Sequence, residues 1–263
     1  MQKTKAAAPR LRKSERREQI VADLRLQPHV RVGELAERFG VSTETVRRDF
    51  DALARKGLVT RALGGASAPS PGTAPTLDER SRARTRERER IGRLAAGLVQ
   101  PGETLMIDSG STTLQVARFL SFAGTRCTAI TNSLHVAMTL GQSGAAKVIL
   151  CPGTYLATEA AVVGEETADF LRRYRVQRCF VGATALLPSG PMETVEGYAG
   201  VKRTMLAQSE SRHLVIDSDK FGRSGFAHLG PLEVFDSLIT DRAPPEDLAR
   251  ALAEAGVAIR VAD

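Results

Sequence analysis

Residues 32–66 read VGELAERFGVSTETVRRDFDALARKGLVTRALGGA. Two short helical patterns are separated by the break Phe39-Gly40-Val41-Ser42. An Arg47-Arg48 pair lies early in the second, and a β-like segment ending in Gly64-Gly65 follows. This is the order of parts in a winged helix-turn-helix, which sets one helix in the DNA major groove.

Working outward, Ser14 is the expected cap of a first helix running to about Leu26, with Ile20 and Leu24 on its inner face and Pro28 as its stop. A second helix covers roughly Val32–Phe39, and Gly40 supplies a left-handed stop. Ser42 caps the third helix, which ends at Lys56-Gly57. Val46, Phe50 and Leu53 stand at i, i+4, i+7 and form its apolar stripe. The opposite face carries Glu44, Arg47, Arg48, Asp51 and Arg55. The candidate DNA contacts are Ser42, Thr43, Glu44, Thr45, Arg47 and Arg48, with Arg61 on the wing acting mainly through phosphate.

Charge agrees with this placement. The chain has 37 Lys+Arg against 30 Asp+Glu, a net of +7. Residues 1–66 hold 15 basic and 8 acidic residues, so they carry all of the excess, and the remainder is neutral. Phosphate attraction is the sequence-independent part of DNA affinity, and a basic module on a neutral body supplies it.

At 263 residues, two domains are expected. The divisions are a flexible basic arm at 1–13, a winged helix-turn-helix at 14–66, a linker at 67–77 and an effector-sensing and oligomerisation domain at 78–263. The linker, SAPSPGTAPT and its flanks, is rich in Pro, Ser, Gly and Thr. No run approaches the ~20 apolar residues that span a bilayer, and the basic start lacks the apolar stretch of a secretory signal. A cytoplasmic location is expected. Cys127, Cys151 and Cys179 are far apart, each beside an apolar run, and read as reduced buried thiols. No metal-ligand spacing is present.

LDERSRARTRERERIGRLAAGLV (77–99) reads as one long helix with a solvated Arg/Glu face or, alternatively, a second basic patch. From Thr104 the pattern changes. TLMID, CTAIT, KVILC, RCFVGA, HLVID, SLIT and VAIRV are short β-rich runs alternating with helical stretches. That alternation implies a largely parallel sheet covered by helices, an α/β domain. Ligands in such folds bind at the carboxyl ends of strands.

Three strand ends are polar. Asp108-Ser109-Gly110-Ser111-Thr112-Thr113 follows TLMI and opens a helix, giving either an anion site or an N-cap cluster. Thr131-Asn132-Ser133 follows CTAI with the same two readings. Asp217-Ser218-Asp219-Lys220 follows HLVI. There Lys220 serves a ligand phosphate or a local salt-bridged turn. Lys202 faces the same pocket or is exposed. Asp108 and Asp217 can accept bonds from sugar hydroxyls. His29, His135, His213 and His228 are isolated and fit no triad or metal spacing, and His213 reads as a satisfied structural residue. No catalytic residue and no cofactor is expected.

With those residues in place, the chain resembles the DeoR family of bacterial transcriptional regulators along nearly its whole length. The likeness runs through Leu35-Ala36, Phe39-Gly40-Val41-Ser42, Thr45-Val46-Arg47-Arg48-Asp49, Leu53, Gly57-Leu58 and Gly64-Gly65-Ala66. It continues in the three strand-end motifs and Val201-Lys202-Arg203. The resemblance implies a sensor domain similar in fold to ribose-5-phosphate isomerase, with the SGSTT loop on a phosphate. The isomerase's acidic Gly-Ala-Asp-Glu stands here as Gly182-Ala183-Thr184-Ala185, without its carboxylates, which points to binding without turnover. Leu63 stands where the family has a wing histidine, and Cys151-Pro152-Gly153 replaces a glycine pair. The family typically represses sugar-utilisation operons, and a phosphorylated intermediate relieves repression. The implied partners are a double-stranded DNA operator, a phosphorylated sugar and further copies of the chain in a dimer or tetramer, with no membrane. The alternative is a sugar-phosphate isomerase- or transferase-like enzyme carrying a DNA-binding module.

Overall fold

A computed structural model of the protein describes residues 12–26, 29–55, 58–62, 64–67, 77 and 84–263. The chain divides into two compact units, Met1–Pro75 and Thr76–Asp263.

In the first unit, α1 (Lys13–Leu26), β1 (His29–Arg31), α2 (Val32–Phe39) and α3 (Thr43–Arg55) precede β2 (Thr60–Ala62) and β3 (Gly65–Ser67). The strands form an antiparallel sheet in the order β1-β3-β2. Ile20 and Leu24 of α1, Leu35 and Phe39 of α2, and Val46, Phe50 and Leu53 of α3 meet in one buried core with Val30, Val59 and Ala66. Burying a side chain such as Phe50 contributes about 1.5–3 kcal/mol. Gly40 closes α2 at φ 62°, and its N–H bonds back to the last turn. A Cβ on Gly65 would lie 2.1 Å from the Val30 carbonyl oxygen, so the close approach of β3 to β1 requires glycine.

Two expectations need correction here. Ser14 is not the cap of α1, which starts one residue earlier. Glu15 closes that end, accepting the Arg12 N–H at 2.8 Å. The strand β1, absent from the sequence reading, supplies a third partner for the wing. Pro28, Lys56, Gly57, Leu63, most of the basic arm and most of the linker lie outside the described residues, as do the side chains of Arg55 and Arg61.

The second unit is built on seven strands. In chain order it runs α4 (Thr85–Ala96), β4 (Thr104–Ile107), α5 (Thr113–Phe122), β5 (Cys127–Thr131), α6 (Leu134–Gly141), β6 (Ala146–Leu150), β7 (Thr154–Leu156), β8 (Ala161–Val163), α7 (Glu165–Leu171), β9 (Val176–Val181), β10 (Ala185–Leu187), β11 (Gly190–Glu193), α8 (Glu196–Ala207), β12 (Ser209–Val215), β13 (Ala227–His228), β14 (Ser237–Thr240), α9 (Glu246–Glu254) and β15 (Ala258–Val261). The large sheet has the order β15-β14-β12-β9-β4-β5-β6, and every pairing in it is parallel. β7-β8 and β10-β11-β13 form small antiparallel sheets that the sequence reading missed.

Both faces of the large sheet are covered, and period-2 alternation explains how. Leu105 and Ile107 of β4 join Phe180 and Val215 in a core with Ile91, Ala95, Val116 and Leu120 from α4 and α5. The intervening Met106 points the other way, into a core with Cys179, Val181, Leu214 and the α8 residues Val201 and Met205. The chain leaves β4 toward β5 and β6, then crosses back to β9 on the opposite side. The switch point between β4 and β9 lies at the strand carboxyl ends, the place where open α/β sheets take their ligands.

Candidate functional site

The exposed face of α3 carries the expected DNA contacts. Ser42, Thr43, Glu44, Arg47 and Arg48 are exposed and Thr45 is half-buried. Ser42 caps the helix, its Oγ accepting the Thr45 N–H at 3.2 Å. Arg48 Nε pairs with Glu44 at 3.2 Å in an exposed i,i+4 arrangement, worth only ~0.3–0.5 kcal/mol, so a phosphate competes easily for that guanidinium. Asp49, on the inner side of α3, is buried and binds Arg16 and Arg17 of α1, the latter at 2.8 Å. This clamp fixes the recognition helix on its scaffold. Two arginines that look like part of a basic tail therefore hold the fold.

In the second unit, the switch point is filled by a buried ionic cluster. Asp108 follows β4, and its Oδ2 accepts the N–H of Gly182, the residue after β9, at 3.0 Å. Lys202 reaches over from α8. Its Nζ lies 3.0 Å from Asp108 Oδ2, donates to the Gly182 carbonyl at 2.9 Å and pairs closely with Glu193 at the end of β11. All three charged side chains are buried. Burial works against the ammonium charge, but Asp108 and Glu193 outweigh it and raise the lysine pKa. Burial pushes the Asp108 carboxyl up, against the pull of Lys202 and the Gly182 N–H.

Two sequence expectations change as a result. Lys202 is neither exposed nor a spare cation for a phosphate, because two carboxylates already hold it. Carboxylates are also present beside Gly182-Ala183-Thr184-Ala185, supplied by Asp108 and Glu193 rather than by that motif. Glu193 was invisible in the sequence because β11 is a short hairpin strand with no periodic signal.

The Asp108–Thr113 loop is buried apart from Gly110, which is partly exposed. Thr113 Oγ1 donates to the Asp108 and Gly110 carbonyls at 3.1 Å each, folding the loop onto the helix start. Thr112 occupies the N-cap of α5 and makes no side-chain capping bond. One strand over, β5 pairs with β4 up to Ile107↔Thr131, so Asn132 stands beside Asp108. Ser133 is the N-cap of α6 through a 3.3 Å bond from the Val136 N–H, and Thr131 Oγ1 accepts the Ser133 N–H at 3.0 Å. For these two, capping accounts for the hydroxyls. Asn132 differs: its Nδ2 donates to the Val162 carbonyl at 3.0 Å, while its buried Oδ1 has no hydrogen-bond partner among the described residues.

The third strand end departs most from expectation. Asp217 is buried and pairs with Arg88 at 3.0 Å and Arg84 at 3.3 Å. Arg84 also binds Asp241 at 2.8 Å, at the end of the neighbouring β14. Ser218 N–H donates to Asp241 at 2.6 Å. Burial pushes Asp241 up, but the Ser218 N–H and hydroxyl and Arg84 outweigh it and hold the carboxyl below its ordinary value. The long helix expected over 77–99 is not continuous. α4 begins at Thr85 because Arg84 sits in the left-handed region at φ 50°, turning its side chain onto these carboxylates. Arg88 is buried too, so the Arg/Glu run is not simply a solvated face. One signal pointed here: three strands of the same sheet, TLMID, HLVID and SLITD, all end in aspartate. Lys220 lies half-buried in the 3-10 turn 218–220, while its neighbour Asp219 pairs with Arg223.

The remaining titratable interior is structural. His213 accepts from Arg178 at 2.8 Å through Nε2, so Nδ1–H donates to Ser237 at 2.7 Å. Burial, then the Arg178 charge, pulls its pKa down to about 4. The three thiols are free and buried, and burial pushes Cys151 and Cys179 up to about 12. No helix among the described residues is long and apolar enough to cross a membrane.

Comparison with known proteins bears on both units. Residues 16–71 match the DeoR-like helix-turn-helix domain, and residues 83–242 match the DeoR C terminal sensor domain. The glycerol-3-phosphate regulon repressor of Escherichia coli K12 is 31% identical over 246 residues, covering 93% of this chain and 97% of that protein. The lactose phosphotransferase system repressor of Lactococcus lactis is 30% identical over 235 residues, covering 88% and 92%. Among solved structures, ribose-5-phosphate isomerase A from Methanocaldococcus jannaschii matches 51% of this chain and 53% of its own, with 16% identity and a TM-score of 0.38. A helix-turn-helix unit with an arginine-bearing recognition helix is thus joined in one chain to a parallel-sheet sensor unit, and both match models of one family: the chain belongs to the DeoR family of transcriptional regulators.

Proposed function

We propose that the protein represses a carbohydrate-utilisation operon and leaves its operator when a phosphorylated sugar binds at the strand ends of the second unit. The observation that carries this reading is the chemistry gathered at the β4/β9 switch point. A loop of small hydroxyl residues at a helix start, Ser109–Thr113, suits a phosphate. Lys220 adds a cation for the same anion. The Asp108–Glu193–Lys202 cluster has more carboxylates than ammonium groups and so disfavours an anion. It suits hydroxyl donors instead, as does the unpartnered Oδ1 of Asn132. A molecule with a phosphate at one end and hydroxyls at the other meets both demands. The two relatives, one a glycerol-3-phosphate regulon repressor and the other a lactose phosphotransferase system repressor, agree with that class.

Turnover is the rival reading, and Asp108 and Glu193 are the carboxylates it needs. Both are held by Lys202, which favours binding alone. The route from ligand to DNA runs through α4 (Thr85–Ala96), the first full helix of the second unit among the described residues. Arg84 and Arg88 tie it to Asp217, three residues from Lys220. Ligand that draws on the Asp217–Lys220 turn therefore pulls on α4, and release follows if the ligand favours the state with lower DNA affinity. One recognition helix reads too few base pairs for genomic specificity, so a dimer or tetramer pairing half-sites is part of the proposal.

The test is a panel of pentose, hexose and triol phosphates against their parent alcohols, read by melting temperature of the full chain. Stabilisation of about 2.7 kcal/mol is expected at a hundred times Kd for the right phosphate, and little for the parent. Thr112→Glu puts a carboxylate where the phosphate belongs. This variant should keep its fold and its DNA binding and lose the shift. An unchanged shift removes the loop from the site, and steady conversion of any sugar phosphate revives the enzyme.

A further inference from the structure

We propose that Arg31, at the end of β1 and outside the recognition helix, is a phosphate-contacting residue of the DNA-binding surface, held in a position where it weakens its own helix. The proposal rests on the DNA-binding reading of the first unit.

Arg31 ends β1 and is the N-cap of α2, with φ −98°, ψ 141° and no side-chain capping bond. An N-cap is favoured when its side chain accepts a bond from the helix N–H groups. Guanidinium has five donors and no acceptor, so arginine cannot do this. It also sets a positive charge at the positive end of the helix dipole. Both effects make arginine a poor choice for the isolated protein. No buried contact compensates: the residue is exposed, and its guanidinium pairs with no carboxylate among the described residues.

Its surroundings give the reason. Arg31 pairs with Gly65 in the β1–β3 register, and Gly65 pairs on its other side with Ala62. The next residue, Val32, donates its N–H to the Gly64 carbonyl at 3.0 Å. Arg31, the start of α2 and the glycine turn of the wing therefore form one hydrogen-bonded corner. Gly33, the residue after Val32, is exposed, and a Cβ there would meet nothing within 4 Å among the described residues. Glu34, exposed in the first turn, offsets the helix end. The long arginine side chain, rather than the helix end, then carries the contact. A phosphate seated there turns the unfavourable charge into a favourable one.

The test uses the full chain and a duplex of random sequence, with anisotropy titrations over a salt series for the wild type, Arg31→Ser and Arg31→Lys. Serine restores a capping side chain, so Arg31→Ser should melt higher than the wild type. Losing one phosphate contact should make its plot of log affinity against log salt shallower by about 0.9, close to tenfold weaker binding near 0.1 M salt. Arg31→Lys should keep the slope. Wild-type slope and affinity in Arg31→Ser would overturn the assignment. So would a loss of binding that accompanies a lower melting temperature and recurs in Arg31→Lys, since that pattern marks a structural role. A wild-type chain that binds no duplex at low salt fails the DNA-binding reading itself, a result distinct from either variant's.

Discussion

Two arginine-rich helices of this chain, α3 and α4, use the same side chain in opposite ways. On α3, Arg47 and Arg48 are exposed, and the ion pair between Arg48 and Glu44 lies in solvent. On α4, Arg88 is buried, and with Arg84 it reaches carboxylates at the ends of β12 and β14, more than a hundred residues away in sequence. Local composition does not distinguish them, because both segments interleave arginine with acids. A buried acid from a distant strand decides the role. Where one waits, arginine becomes a tie; where none does, its charge is open to an outside anion. Asp49 repeats the lesson within the first unit, drawing Arg16 and Arg17 inward while their neighbours on α3 stay outside.

The comparison breaks most visibly if the α3 pair is removed. Replacing Arg47 and Arg48 with alanine should lower operator affinity by about 1–3 kcal/mol for each guanine-reading arginine. Folding stability should move by no more than about 0.5 kcal/mol, as for other surface substitutions. Gel shift and thermal melting of the same sample check both halves. A large drop in melting temperature would show that these arginines are also ties.

Arg88→Ala should do the reverse. It leaves Asp217 buried with the longer contact to Arg84 as its remaining ion pair, and breaking a buried pair costs about 3 kcal/mol. Denaturant unfolding reads the loss. Unchanged stability would mean the α4 arginines contribute as little to the fold as those of α3, and the proposed coupling path would go with them.

A third arginine environment sharpens the contrast by pH. Arg178 is tied to Glu103 at 3.0 Å and to the His213 ring, whose pKa is pulled down to about 4 by burial and by that guanidinium. The unfolded chain takes up this proton near its ordinary value of 6.5, before the folded chain does. Stability is therefore full above that value and falls as pH drops from about 6.5 toward 4, by at most about 3 kcal/mol. Glu103, held low chiefly by its Arg178 bond, and Asp241 lose their contributions from their ordinary carboxylate values downward, at or below the acid end of this window. Urea midpoints measured between pH 7 and pH 4 on the wild type and His213→Gln separate the two: the variant should lose the slope in this window. An equal slope in both proteins would assign it elsewhere.

Much of the molecule was legible one residue at a time. Helical spacing of Val46, Phe50 and Leu53, the Gly40 stop and the Ser42 cap are local signals, and each lies where that spacing put it. The seven strands of the large sheet were readable for the same reason: each is a short apolar run bounded by turn residues. β1 (HVR), β7 (TYL) and β11 (GPME) carry no such apolar run, and strands this short cannot show a period instead.

The class of each unit, its core stripes and the location of polar strand ends follow from local signals, because hydrophobic periodicity and caps act over a few residues. Which charges meet is set by the folded arrangement. Lys202 was visible but not its captivity between Asp108 and Glu193. Asp217 was visible but not its hold on Arg84 and Arg88. Ion pairing inside a protein depends on burial and on distances of about 3–4 Å between residues far apart in the chain. The order of strands in the sheet, and the crossing from β6 back to β9, set those distances.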